Sequence, residues 1–243
     1  MNKFCKKHEV DYYYICPECV KPFLGKTHFS SLEEVRKYQL RNAKRVNKKD
    51  ISDRIRLIGI IKLRILNEIA FVGILIYDID NHIIIDSLFK TFKPRFSQYF
   101  PSILFLNQTE IYLSIIKAVK TSPHCYLINV SGQIHPYLFG TACDVGIQTK
   151  TPVIGYTKKL LYGRIDAYEN NHSFSGVYHN NTLIGYAIPR ENSTKCLYIS
   201  VGNNISLQRA LNVFLKIDSK ILSKLNNALK NFKQSVHNKS RSR

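Results

Sequence analysis

At 243 residues, with 44% hydrophobic and 22% charged positions, the chain has the composition of a folded protein with one sizeable core and a small appendage, which excludes a disordered tail. No apolar run approaches the roughly eighteen residues of a membrane helix, and the opening Asn2, Lys3, Cys5, Lys6, Lys7 and His8 form no hydrophobic export core; the expectation is a soluble intracellular protein, cytoplasmic or nucleoid-associated, or nuclear in a eukaryote, with no membrane partner. The net charge of +19, with 8 Lys/Arg against 1 Asp/Glu in residues 216–243, points to a polyanionic partner, although a codon bias favouring Lys, Asn, Ile and Tyr would also produce an excess.

The first element is a metal-ligand pattern. Cys5, His8, Cys16 and Cys19 read C-x2-H-x7-C-x2-C, and two residues between ligands let a tight turn aim both side chains at one ion. Four soft or borderline ligands suit tetrahedral Zn²⁺, with no position left for reactive water, so the ion is expected to be structural. The spacing resembles the first half of a B-box finger, whose second ligand set is missing here apart from a stray His28. Residues 1–29 are read as this zinc-binding module. The other cysteines, Cys125, Cys143 and Cys196, are scattered, which is not a disulfide framework and fits a reducing compartment.

Residues 30–50 follow as a basic linker helix. Ser30 and Ser31 precede Glu33 and Glu34 at capping-box spacing, and Leu32, Val35, Ala43 and Val46 can share one face. The opposite face carries Arg36, Lys37, Arg41, Lys44, Arg45, Lys48 and Lys49, a surface that could track phosphates or simply keep a packing helix soluble.

From Arg54 the pattern predicts three strands in an antiparallel meander, turning near Asn67-Glu68 and at Asp80-Asn81-His82. A helix through Ile111, Ile115, Ile116 and Val119 comes next, then a buried strand Tyr126 to Val130, a helix after Pro136 and the strand Val153-Ile154-Gly155. Strands alternating with helices imply a parallel continuation of the sheet. The expected fold is therefore α/β: an RNase H-like mixed sheet, antiparallel meander then parallel strands, flanked by helices.

Several segments resemble the endonuclease V family in order and spacing. Ile128-Asn129-Val130-Ser131-Gly132-Gln133-Ile134-His135-Pro136, with Leu138 to Gly146 as its helix, resembles the first signature; Thr151 to Gly163 resembles the second, and Tyr198 to Leu207 the third. Gln98-Tyr99-Phe100-Pro101-Ser102 resembles the aromatic-proline wedge with which that family opens a duplex. The likeness covers residues 51–232, leaving the finger outside it and a basic tail at 233–243.

The resemblance implies phosphodiester hydrolysis near hypoxanthine or inosine, with Mg²⁺ held by carboxylates, because hard Mg²⁺ prefers anionic oxygens. Carried over by motif position, the family's Asp, Glu, Asp and His become Ile61, Gln108, Asn129 and Asn203. All four are changed. Glu110 would replace Gln108 if the helix were shifted, and Lys62 beside Ile61 is no metal ligand either. Val130 and Ser102 stand where the family has glycines, so specific inosine recognition is not carried over.

The resulting expectation is a catalytically inactive endonuclease V-like protein that binds DNA or RNA without Mg²⁺. Tyr99, Phe100, Pro101, Lys158, Lys159, Arg41, Lys44 and Arg45 are the expected contacts, the aromatics by stacking and the cations at phosphates. His135 is as compatible with a structural role as a functional one. A leucine-rich amphipathic C-terminal helix spans Ile221 to Phe232. Two alternatives stand beside this reading. One is an active nuclease on inosine-containing DNA or RNA through a rearranged site using Glu110, Asp144 or Asp78. The other is a subunit of a larger nucleic-acid machine, joined through the finger or the C-terminal helix.

Overall fold

The computed structural model describes residues 3–166, 174–190 and 195–241. The chain opens with a two-stranded antiparallel ribbon, β1 (Lys3–Cys5) and β2 (Val10–Tyr12), followed by α1 (Pro17–Leu24). Cys16 precedes the helix and Pro17 takes its first position, where a missing N–H costs nothing. α2 (Leu32–Ala43) starts with the expected capping box: Ser31 Oγ accepts from Glu34 N at 3.1 Å, and Glu34 Oε2 accepts from Ser30 N at 2.8 Å. It ends at Ala43, shorter than the predicted helix to residue 50. Val46, beyond that point, is buried as the chain turns into the core.

The meander forms as predicted, with β3 (Leu57–Leu66), β4 (Ile69–Asp78) and β5 (Ile83–Phe92) paired antiparallel. α3 (Phe105–Ala118), β6 (Cys125–Ile128), α4 (Thr141–Thr149) and β7 (Val153–Thr157) follow, and β3–β6 and β6–β7 are the parallel pairs. α4 begins three residues later than Leu138, because Leu138 takes a left-handed φ of 50° that no helix accommodates. The remaining strands, β8 (Arg164–Ile165), β9 (Ser175–His179), β10 (Thr182–Pro189) and β11 (Cys196–Asn203), extend the sheet antiparallel. Among the described residues its nine strands run in the order β5-β4-β3-β6-β7-β11-β10-β9-β8.

Alternation along β3 distributes its side chains between two cores. Ile58 and Ile60 face α5 (Leu207–Leu215) and α6 (Ser219–Arg241); Ile61 and Leu63 face α3. α6 carries the helical stripe Ile221, Leu225 and Leu229 into the first core, and Phe232 reaches Phe71 and Phe89 with ring centroids 6.4 and 5.9 Å apart. The helix continues unbroken to Arg241, so the expected basic tail is helical over the described part. His237 still lies 5.8 Å from the Phe71 ring.

The N-terminal module is not an independent appendage. Its Ile15, Val20 and Leu24 share one cluster with Leu32 and Val35 of α2 and with Phe96, Ile103, Phe105 and Leu106 of the core domain.

Candidate nucleic-acid cleft and metal module

In the N-terminal module the ligand atoms of Cys5, His8, Cys16 and Cys19 all lie within 4.8 Å of one another. Cys5 Sγ is 3.8 Å from Cys19 Sγ, and His8 Nδ1 is 3.6, 3.5 and 3.4 Å from the sulfurs of Cys5, Cys16 and Cys19. A tetrahedron with metal–sulfur bonds of about 2.3 Å and metal–nitrogen bonds of about 2.0 Å has edges of roughly 3.8 and 3.5 Å. The four side chains therefore have the dimensions of a metal cage. The backbone prepares it: His8 N and Glu9 N both donate to Cys5 O, closing the turn between the first two ligands. His28 packs against Phe29, ring centroids 4.1 Å apart and tilted by 39°, and is not one of the group.

At the ends of β3 and β6 a cavity of about 730 Å³ opens between the start of α3, the segment 97–104 and the loop after β7. Lys62, Arg64, Lys158 and Lys159 line it, together with Tyr99, Gln108 and Asn129, and no Asp or Glu does among the described residues. Lys62 is only 8% exposed. Burial, then Arg64 and Lys158, lower its pKa to about 8.

Asn129 follows β6 and bridges the sheet past its last strand residue. Its Oδ1 accepts from Leu63 N at 2.8 Å and from Tyr112 Oη at 3.0 Å, and its Nδ2 faces Leu63 O at 3.5 Å. Both lone pairs of that oxygen are thus committed to protein donors. Gln108 Oε1, by contrast, is buried with no hydrogen-bond partner. Behind the cleft the chain crosses β11 closely: a Cβ on Gly132 would lie 2.1 Å from Val201 O, so the motif glycine is sterically required.

The other carried-over positions lie elsewhere. Ile61 is fully buried among the apolar residues under α3 and does not line the cavity. Asn203 pairs with Val153 at the start of β7, the opposite end of the sheet from Asn129. There its Nδ2 donates to Gly146 O at 3.0 Å and its Oδ1 accepts from Asn47 N at 2.8 Å, a structural clamp.

Of the expected contacts, Tyr99, Pro101, Lys158 and Lys159 line the cavity, and Tyr99 is 71% exposed at its mouth. Phe100 does not line it; its ring packs on Phe23 and Phe96 at 5.3 and 5.9 Å. Arg41, Lys44 and Arg45 sit on and just after α2, outside the lining. Arg45 Nη1 donates to Asn42 Oδ1 at 2.7 Å. α2 meets the cleft instead through Gln39, whose Nε2 donates to Ser102 O and to Phe139 O, each at 3.0 Å.

His135 is a buried, neutral bridge: Nε2 donates to the same Ser102 carbonyl at 3.0 Å, and Nδ1 accepts from Tyr137 N at 3.2 Å. Burial pushes its pKa down to about 3. The three carboxylates of a rearranged site do not converge. Glu110 is exposed and pairs with Arg95; Asp144 is buried, accepting from Tyr38 Oη at 2.9 Å. Asp78 closes the β4–β5 turn at the far end of β3, where Arg56 holds its carboxyl well below the usual range.

Sequence reasoning passed over Lys62 and Arg64 as ligands and missed Asn226. Lys62 Nζ and Arg64 Nη2 each donate to Asn226 Oδ1 of α6, both at 2.8 Å. The available signal was in β3, where the row Ile58, Ile60, Lys62, Arg64 changes from apolar to cationic on one face.

A meander joined to parallel strands, with a cleft where β3 and β6 end beneath the first core helix, defines the RNase H-like class of nuclease scaffold. The family model described as Endonuclease V matches residues 40–223, and the chain belongs to the endonuclease V family. The match leaves the metal module outside it. Endonuclease V of Thermofilum pendens is 26% identical over 182 residues, covering 74% of this chain and 77% of that protein. Endonuclease V of Dehalococcoides mccartyi is 31% identical over 113 residues, 46% of this chain and 51% of the relative. Among solved structures, human ENDOV superposes with a TM-score of 0.72 at 18% identity, over 85% of this chain and all of that one. The Ciona intestinalis enzyme, solved with a 24mer DNA containing an inosine followed by a ribo-adenosine, superposes at 0.74 and 15% identity, over 84% and 98%.

No described helix is long and apolar enough to cross a membrane.

Proposed function

We propose that this chain is a pseudonuclease: an endonuclease V scaffold that binds DNA or RNA in its cleft, does not cut it, and carries one structural Zn²⁺ on Cys5, His8, Cys16 and Cys19. The observation that carries this reading is the cleft lining, four cations and four neutral amides with no carboxylate among the described residues. Such a wall attracts phosphates and repels Mg²⁺. The Oδ1 lone pairs of Asn129 are taken by Leu63 N and Tyr112 Oη, and the residues present do not fit a Mg²⁺ site. The Ciona structure with DNA supports a nucleic-acid partner.

In this reading Lys158 and Lys159 neutralise backbone phosphates, and Tyr99 stacks on an unpaired base. Arg41, Lys44 and Arg45 extend the footprint beyond the cleft. Residues 1–29 act as a brace for the wedge segment, and Ile61, Gln108, Asn129 and Asn203 perform no chemistry. The protein works where nucleic acid is, inside the cell.

The test is fluorescence anisotropy with labelled single-stranded DNA and RNA in buffer without added Mg²⁺ or Mn²⁺, followed by incubation with inosine-containing strands and Mn²⁺. Binding that needs no divalent ion and weakens steeply with salt, without cleavage, is expected. Absence of binding at low salt, or cleavage abolished by Glu110→Gln, overturns the reading.

A further inference from the structure

Lys62 and Arg64 converge on one neutral oxygen. Their charged nitrogens are each 2.8 Å from Asn226 Oδ1, and no carboxylate accompanies them in the cavity lining among the described residues. Two like charges brought together this closely repel each other, and an amide dipole offsets only part of that repulsion. Lys62 cannot retreat to solvent, because its stem is held in the strand row of Ile58 and Ile60 and the residue is 8% exposed. Lys158 faces the same space from the loop after β7. The arrangement has the charge and donors to receive an anion, with the rigid fork of Arg64 and the compact ammonium of Lys62 on one side and Lys158 on the other.

We propose that Lys62, Arg64 and Lys158 form a phosphate-binding site in which Lys62, oriented by Asn226, supplies from the protein the positive charge that a bound metal supplies in a metal-dependent nuclease. The ligand is one phosphodiester of a nucleic-acid backbone, an assignment that rests on the nucleic-acid reading of the cleft. Asn226 is a positioning residue. Its neutrality matters, because a carboxylate there would pair with both cations and compete with the phosphate.

Two probes separate the site from the partner. The full chain is titrated with a labelled single-stranded oligonucleotide across a salt series, and in parallel with inorganic pyrophosphate, read by thermal shift. Three variants are compared: Lys62→Met, which keeps the apolar stem, Arg64→Gln at an exposed position, and Asn226→Asp, which keeps the shape and adds an ion pair.

The expected result is about a tenfold loss of oligonucleotide affinity in each variant, a salt slope shallower by about 0.7 per lost contact, and loss of the pyrophosphate shift. Asn226→Asp should lose binding while melting no lower than the parent, which separates the charge effect from misfolding. Oligonucleotide binding unchanged in affinity and slope in Arg64→Gln and Asn226→Asp overturns the site and leaves the nucleic-acid reading standing. A pyrophosphate shift that depends on Asn226, with no oligonucleotide binding, overturns the nucleic-acid partner and leaves the anion site. Failure of both probes on the parent chain overturns both.

Discussion

The ring of Phe23, at the end of the metal module's helix, lies 5.3 Å from the ring of Phe100 in the wedge segment, tilted by 57°. This contact joins the module to the cleft. Phe100 is anchored in the shared cluster, and its neighbour Tyr99 is left in solvent at the cavity mouth. The contact ties residues 98–102 to α1, the helix that begins directly after Cys16.

Removing the metal should loosen the wedge. Cys16→Ala, or chelation of the purified protein, is expected to lower the melting temperature and to increase amide exchange over residues 96–106 as well as over the module. Phe23→Ala should cost about 2 kcal/mol through lost packing and raise exchange over the same segment with the metal still bound. Exchange changes confined to residues 3–29 in both cases would show that the module is energetically separate.

Tyr99→Ala separates recognition from stability. At 71% exposure the side chain supports little of the fold, so unfolding free energy should move by less than about 0.5 kcal/mol. Oligonucleotide affinity should fall by about 1 to 3 kcal/mol if the ring stacks on a base. Unchanged affinity would remove Tyr99 from the contact surface.

His135 should make the fold acid-sensitive. Its pKa is about 3 in the folded protein against an ordinary 6.5. Between those values the unfolded chain binds the extra proton, so the stability contribution is complete above pH 6.5 and falls as pH is lowered through that window. The decline approaches about 1.4 kcal/mol per pH unit from this group alone. Denaturant titrations of the parent and His135→Asn between pH 7 and 4 measure it; parallel curves would assign the sensitivity elsewhere.

Lys62 imposes an opposite limit on binding. With its pKa lowered to about 8 beside Arg64 and Lys158, it gives up its proton as pH rises through that value, and the cleft loses a cation. Oligonucleotide affinity should therefore decline between pH 7 and 9 in the parent and decline less in Lys62→Met. In the absence of ligand the same shift makes this group's contribution to folding rise from pH 8 to 10.5, since there the unfolded lysine still holds its proton.

Asn129→Asp should not restore cleavage with Mn²⁺ on an inosine-containing strand. The carboxylate would keep the Leu63 N–H and Tyr112 hydroxyl as donors but would face Leu63 O without a proton to give it, so a small stability loss of about 1 kcal/mol accompanies inactivity. Product formation in this variant would show that one carboxylate suffices.

Much of this protein was legible along the chain, for reasons that are local. Cys5, His8, Cys16 and Cys19 announce a cage because ligand spacing is short-range geometry, and Ser31 with Glu34 announces the start of α2 because a cap involves only four residues. The meander followed from two turns separating apolar segments of strand length, and the signatures around Asn129 and Lys158 identified the family before any contact was known. Element ends were less legible: α2 stops at Ala43 and α4 starts at Thr141 because tertiary packing and the left-handed Leu138 decide them.

Only the tertiary structure could decide where motif positions meet. Asn203 and Asn129 belong to equally clear motifs, yet antiparallel β11 carries the first to the far end of the sheet from the second. Tyr99 and Phe100 are adjacent, yet one meets solvent and the other meets Phe23. Lys62 and Asn226 are 164 residues apart, and their hydrogen bond depends on where α6 crosses β3, a long-range packing outcome that no local pattern encodes.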